Sequence, residues 1–525
     1  MNHIKDPSAS QHASGDAPCD VLVIGGGLHG VAVARDLAGR GWSVILCEQG
    51  DLAQHASSST LKLALAGVDA LAFGRLKPLR QSLVEQEVLL RSAPHLCSPV
   101  RLIVPEGAGA KPLWRSGPGL WLLNQLAPRT WLPDSQSVSL SGSSPAEPLQ
   151  PSWRTAVMHS ELLVDDARLV VACAQDGRDH GAHILTRAHC AELRAHDDGW
   201  QALLAHHDPH TDRLTHQTGI RARLVVNAAG ASAGRIQAML EASTSTTASP
   251  AAASHDTWVK GGHIVISRRQ AQDHGHWFEV PGGRSVFAVP LAPHFTLIGA
   301  EVLGPVTDSR CTALDPQDIE HLCQVASRYF RSPVMPQDVV WQQAIVHAPD
   351  RLSSLAHIRH CGGPAPWVTA RSGRMTTFRR QAEAVVNQVA ELFSDHRPPW
   401  TRESTLPGGR LIDLIDAEQD PVSDLIEFQR RLRQRFPWLD LALARRWSRQ
   451  YGSRVLSMLE GVQDRSELGA EVAPDLYELE LRHLMRTEWA RTADDVLWRR
   501  TRLGLHLSEP QHQAVAQWLQ RSAAV

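Results

Sequence analysis

DVLVIGGGLHGVAVARDLAGRGWSVILCE, residues 20 to 48, lays out a strand, a helix and a second strand in order. Asp20 to Ile24 is a short apolar run of the kind that forms a parallel strand buried on both faces. Gly25, Gly27 and Gly30 then make G-x-G-x-x-G. In that spacing the first glycine permits a tight turn, the second lets backbone approach a pyrophosphate, and the third lets helix pack on strand. Val31, Val33, Ala34 and Leu37 continue as a helix whose N-terminal amides and dipole favour phosphate. Ser43 to Cys47 return as a second strand that ends on Glu48. That acid lies ~20 residues on, where a carboxylate binds the ribose hydroxyls of a dinucleotide. The glycines alone would be a weak signal; strand, helix, strand and terminal acid together are a specific one.

Working outward, the 525-residue chain is too long for one core and implies two or three domains. A net charge of −2 offers no bulk attraction to nucleic acid, and no zinc-ligand spacing is present, so nucleic-acid binding has no support. The eight cysteines are scattered without a C-x-x-C pair, as suits small buried hydrophobes in a reduced compartment. The leader is polar, and no run reaches the ~18 apolar residues of a spanning helix. The expectation is a cytoplasmic protein, or one lying peripherally on the cytoplasmic membrane.

Residues 1–18 read as a disordered leader, 134–152 as a Ser- and Pro-rich surface loop, and 241–254 as a low-complexity insertion. Residues 222–230 form a second apolar strand closing on a small-residue turn at Gly230. Further strands are expected at 264–267, 285–290 and 296–299. Beyond about residue 400 the spacing turns helical, with helices expected over 425–436, 441–451, 475–487 and 492–501.

Several of these segments, read together, resemble the FAD-dependent, aerobic (respiratory) glycerol-3-phosphate dehydrogenases. They are IGGGLHGVAVARDLAGRGWSV with EQGDLAQHASSSTLKL, HSELLVDDARLVVACAQ at 159–175, LVVNAAGASAG at 224–234 and KGGHIVIS at 260–267. WTRESTLPGG at 400–409 and the stretch 477–511 resemble the family's C-terminal domain, the most discriminating part of the match. The resemblance implies an α/β fold: a Rossmann-like FAD-binding domain, an inserted antiparallel-sheet substrate domain and a helical C-terminal domain. Its segments would be 19–100, 155–235 and 350–398 for FAD, 101–154 and 255–349 for substrate, and 399–525 for the helical domain. It also implies oxidation of sn-glycerol 3-phosphate to dihydroxyacetone phosphate by hydride transfer to flavin, with quinone as the electron acceptor. A homodimer is left open.

The substrate half of the family pattern departs from expectation. After Ser57, Ser58, Ser59 and Lys62, the family continues with His-Gly-Gly and Leu-Arg-Tyr; here Leu65 replaces the histidine, Asp69 the arginine and Ala70 the tyrosine. His347 stands where the family has an arginine, Glu301 falls in the segment matching Gly-Thr-Thr-Asp, and Arg374 replaces a lysine. Three readings therefore remain: a glycerol-3-phosphate dehydrogenase with a rebuilt phosphate pocket, a flavoprotein oxidoreductase of altered substrate, and a flavin-binding protein with little turnover.

The resemblance places Gly25, Gly27, Gly30, Glu48, Gly230, Gly373 and Thr376 at the cofactor. Ser57, Ser58, Ser59 and Lys62 are either contacts to its pyrophosphate and ring or ordinary loop residues. His263 is the candidate proton acceptor, since imidazole titrates in the useful range, with a satisfied structural histidine as the alternative. Arg374 is the candidate phosphate anchor, with an ion pair as its alternative, and His347 ranks after it. Asp165 and Asp166 read as a helix cap. Trp114, Leu120, Trp121, Leu122, Leu123 and Trp131, interleaved with Arg115 and Arg129, suit either a lipid interface or a packed core. Arg499, Arg500 and Arg502 suit either a basic docking patch or a solvated helix face.

Overall fold

The structure is a computed structural model and describes residues 17–107, 112–244, 258–267, 274–280, 284–292, 294–307, 312–347, 358–361, 363–370, 373–416 and 419–523. Its first sheet is built on the strand Ala17–Ile24, paired in parallel with Val44–Glu48 on one side and Leu214–Asn227 on the other. His183–Thr186 and Trp367–Ala370 extend the parallel set outward. Alternate residues of the central strand serve opposite cores, which explains its unbroken apolar run. Val21 and Val23 face the helices Leu28–Gly39, Asp166–Asp179 and Phe378–Phe393, whereas Leu22 and Ile24 face an antiparallel meander and the helix Ala233–Thr244. The first strand starts at Ala17, so the leader boundary expected at residue 18 shifts; residues 1–16 lie outside the described residues.

The second sheet runs in the order 339–347, 258–267, 295–306, 284–292, 274–280, 97–105, 155–164, 63–64, with 136–139 on 155–164. All its pairings are antiparallel except that of 274–280 with 97–105. Thr155–Val164 is the start of the segment 155–235 expected in the flavin domain. Its hydrogen bonds run to Cys97–Pro105 in this second sheet, and the chain returns to the first domain only with the helix at Asp166. The stretch 134–152 is not all loop, since it contributes the edge strand Gln136–Ser139. Most of the expected insertion at 241–254 lies outside the described residues.

The C-terminal region is helical, with Pro421–Arg435, Leu441–Tyr451, Glu478–Thr487 and Glu509–Ala523 around its own core of Phe428, Trp447, Tyr451, Leu481 and Leu519. In place of a regular helix at 492–501 there is a π-helical turn, Asp495–Arg500. Such turns are frequent at functional sites.

Of two surface readings, the first resolves largely toward a packed core and the second is corrected. Trp114 is fully buried and stacks on Trp277 at 5.1 Å, Leu120 and Leu123 are core residues, and Arg115 is buried in an ion pair with Glu279. Of that set only Trp121 projects into solvent, because a single helix face points outward while the rest caps the second sheet. Arg499, Arg500 and Arg502 are likewise no surface patch. They point inward onto Asp51, Asp165 and Asp166.

Candidate active site

The strand Ala17–Ile24 ends between two neighbours reached by different connections, which is where an open parallel sheet leaves a crevice for a ligand. The chain turns there through Gly25 at φ +118°, and a Cβ on it would lie 2.5 Å from the Ala228 carbonyl oxygen. A Cβ on Gly30 would lie 1.9 Å from the Gly25 carbonyl oxygen, so turn and helix are in backbone contact. At Gly27 a Cβ would meet only the Ser57 hydroxyl, at 3.0 Å, leaving the helix N-terminus approachable. Its N-cap residue, Gly27, has no side chain to cap it; the Leu28 N–H donates to Ser57 Oγ at 3.0 Å. Gly230 turns at φ +56° just past the neighbouring strand, with no atom of the described residues within 4 Å of its Cβ position.

Glu48 is buried at the end of the second strand. Its Oε2 accepts the Gly26 N–H at 2.6 Å and its Oε1 the Gly50 N–H at 2.9 Å. Burial pushes this carboxyl above its usual range, and the two N–H bonds pull it partly back. An acid at the strand end, an open glycine turn and a helix N-terminus fit the adenosine diphosphate half of FAD.

Beside the cradle lies a small, partly open pocket. Three pieces of chain wall it: Thr60, Leu61, Leu63 and Leu65, the second-sheet residues Ala300, Glu301, Ile345 and His347, and the turn Arg374-Met375-Thr376. Thr376 Oγ1 donates to the Leu65 carbonyl at 2.6 Å and ties two walls together. The Arg374 guanidinium lies against Gly67, whose Cβ position is 2.1 Å from Nη1. Burial raises the Asp69 carboxyl, while the Arg374 and Arg115 charges oppose the rise and Glu301 and Glu161 add to it. His347 Nε2 lies 3.0 Å from the Glu301 carbonyl oxygen. Gly373 N–H donates to His29 Nε2 at 3.3 Å, and the same imidazole nitrogen lies 2.6 Å from Gln381 Oε1.

Arg374 and His347 therefore line one pocket, and His263 does not. His263 pairs with Gly299 and Gln343 inside the second sheet, and it is 2% exposed. Burial, helped by the Lys62 charge, lowers it to about 3, so the expectation of a histidine titrating near neutrality is overturned. It is a neutral imidazole whose Nδ1 has no partner among the described residues.

Lys62 is also corrected. Its Nζ donates to both Asp166 oxygens, at 2.7 and 2.8 Å, and to the Ser58 carbonyl at 2.5 Å, so it is a buried ion pair rather than a free hand toward the flavin. Ser58 and Ser59 turn their hydroxyls back onto the His55 carbonyl at 3.3 and 3.1 Å, leaving Ser57 as the serine at the helix N-terminus. Asp165 caps its helix by accepting the Arg168 N–H, whereas Asp166 is the counter-ion of Lys62. Reading both acids as a cap missed that role. The signal was available, since a buried lysine requires an acid. His29, inside the glycine motif, was missed with no such signal.

A dinucleotide cradle set against a sheet that walls a pocket defines the class of dinucleotide-dependent oxidoreductases. Residues 20–366 match the model of the FAD dependent oxidoreductase family, and 399–524 that of the C-terminal domain of alpha-glycerophosphate oxidase. The chain is 35% identical over 512 residues to glycerol-3-phosphate dehydrogenase of Pseudomonas aeruginosa, covering 95% of each chain. It is 31% identical over 517 residues to D-erythritol 1-phosphate dehydrogenase of Brucella abortus, covering 97% of this chain and 99% of that one. Its fold is similar to that of the Bacillus halodurans glycerol-3-phosphate dehydrogenase complexed with FAD, with a TM-score of 0.72 at 22% identity, covering 96% and 90% of the two chains. The chain belongs to the FAD-dependent oxidoreductases, in the branch that includes the glycerol-3-phosphate dehydrogenases, and its cofactor is FAD.

Proposed function

We propose that this protein oxidises sn-glycerol 3-phosphate to dihydroxyacetone phosphate and passes the electrons to a membrane quinone. The observation that carries the reading is the pocket beside the cradle, in which Arg374 is the one permanent cation among the described lining residues. A guanidinium binds a phosphate by two parallel N–H bonds, and apolar Leu63, Leu65, Ile345 and Met375 around it exclude water. FAD, when bound, supplies the acceptor for hydride from the substrate carbon. Of the two candidate imidazoles, His347 lines this pocket and is proposed to take the hydroxyl proton, whereas His263 lies inside the sheet. Bleaching of the flavin band when sn-glycerol 3-phosphate is added anaerobically supports the reading. A band that persists in FAD-loaded protein overturns this substrate.

A second substrate is favoured by one observation: Glu301 lines the pocket and Asp69 lies within electrostatic reach of Arg374. Carboxylates repel a phosphate but accept hydrogen bonds from hydroxyls. A longer polyol phosphate, with its phosphate on Arg374 and extra hydroxyls toward the acids, uses both. The Brucella abortus relative carries the name of such a substrate. Faster bleaching by erythritol phosphate than by glycerol phosphate selects this reading; the reverse order rejects it.

For the membrane, the support is an apolar patch formed by Phe73 (76% exposed), Leu113 (51%) and Trp121 (66%), carried on short helical elements that pack on one another, and by the neighbouring Leu76. Arg75, Lys77 and Arg80 are exposed beside it, which suits a bilayer of anionic lipid. No helix among the described residues is long and apolar enough to cross a membrane. The F73S/W121S double variant is expected to lose cosedimentation with anionic vesicles while keeping its flavin; retained binding rejects this face.

A further inference from the structure

The segment Glu48–Lys62 wraps the cradle, touching it through Glu48 on Gly26, Ala53 N–H on the Gly26 carbonyl at 3.3 Å, and Ser57 on Leu28. It holds two non-glycine residues in the left-handed region, Ala53 at φ +61° and Lys62 at φ +59°. Such conformations persist only where the surroundings over-determine them. Both ends of the segment are held from the C-terminal domain. Near the first end, Arg500 donates to both oxygens of Asp51, at 2.6 and 2.7 Å, and Arg499 Nε donates to Oδ2 at 2.6 Å. Arg500 is clamped in turn by the Glu488 carbonyl at 2.7 Å, and Arg499 by Asp495 at 2.6 Å. At the far end, Asp166 accepts from Lys62 and from the Thr60 hydroxyl at 2.7 Å, and Arg502 Nη2 reaches Asp165 at 2.7 Å and Asp166 at 3.5 Å. Asp51, Asp166 and Arg500 are each 1% exposed.

We propose that the C-terminal domain is the clasp of the cofactor site: Arg500 through Asp51, and Arg502 through the Asp165–Asp166 pair, fix the two ends of Glu48–Lys62 and so control how tightly FAD is held. The three arginines come from one π-helical turn and the residues just after it, so a single short element governs both ends. They act as positioning residues, because the groups facing the cofactor are Glu48, Ser57 and the glycine turn. The inference rests on the cradle being the FAD site. The predicted order is coupling by pre-organisation: a segment already fixed loses less freedom when the cofactor binds.

The test is FAD release from the full-length holoenzyme, followed by recovery of flavin fluorescence, with the thermal midpoint of the FAD-saturated protein measured alongside. R500Q and R502Q are each expected to weaken FAD retention about tenfold or more. R502K is expected to recover it, since Arg502 acts through one terminal nitrogen, whereas R500K is not, since Arg500 uses a two-pronged grip. The control is R446Q, which breaks the Arg446–Glu480 pair within the C-terminal domain without touching the segment. If R446Q loosens FAD as much as R500Q, or if R500Q and R502Q hold it like the parent, the clasp is wrong. If R500Q does not fold, D51N carries the same test from the other side of the bond. A parent protein that binds no FAD at all would overturn the cradle itself, a separately readable failure.

Discussion

Replacing Arg374 by methionine tests whether the pocket is a phosphate site. Methionine keeps a flexible stem of similar reach and removes only the charge and its donors. Arg374 is the one permanent cation among the described lining residues, and it is partly buried with apolar side chains on part of the lining, so its bonds to a phosphate are only partly screened by water. Losing one partner of such a charge pair costs about 2–4 kcal/mol, which at 1.36 kcal/mol per decade is roughly 30- to 1,000-fold in kcat/KM. The assay is dye-linked turnover of sn-glycerol 3-phosphate beside that of glycerol, which lacks the phosphate. The phosphate ester is expected to lose this factor and glycerol to lose little, with flavin content unchanged. Equal losses on both substrates, or none on the ester, would refute the reasoning. Partition of the loss between kcat and KM then tells whether the bond is made in the ground state or strengthened in the transition state.

Gly67→Ala is expected to act through the same arginine. Its Cβ would lie 2.1 Å from Arg374 Nη1 at a φ of +76°, so the side chain must move; kcat/KM for the phosphate ester should fall with FAD retained, and G67A should add little to R374M. Gly30→Ala places a Cβ 1.9 Å from the Gly25 carbonyl oxygen, and backbone cannot yield as a side-chain tip can, so the purified variant should be colourless or insoluble. A yellow G30A protein would contradict the cradle. For pH, burial holds His95, His263 and His276 each at about 3, against about 6.5 when unfolded. Between those values the unfolded chain binds more protons, so the stability is fully present above about pH 6.5 and declines as pH falls. The slope is about 1.4 kcal/mol per pH unit for each histidine. Urea midpoints that stay level from about pH 7.5 to about pH 5 would show that these groups are not buried neutral.

The parts legible in the sequence were those whose physics is local. Gly25, Gly27 and Gly30 announce a turn because only the missing Cβ admits it, and the helix read over 441–451 is the helix observed, since its apolar spacing and its capping Asp440 are both short-range. Arg374 and His347 meet in one pocket as members of a resembling family, while His263, from a segment that matches as well, lies buried behind it. Residue type alone cannot distinguish a histidine at a pocket wall from one inside a sheet.

What the sequence by itself determined is the parallel strand, the glycine turn, the acid at the end of the second strand and the helical character of the last part of the chain. Each follows from spacing within a few turns of backbone. The tertiary structure alone decided which sheet holds Thr155–Val164, since an apolar strand reads the same in either. It also decided the partners of the buried charges. Lys62 lies 104 residues from Asp166, and Asp51 lies 449 residues from Arg500. Periodicity shows which side of an element is buried, but the identity of the group across the gap is set by how distant elements dock. A buried charge is tolerated only where that docking brings its counter-ion within hydrogen-bond reach.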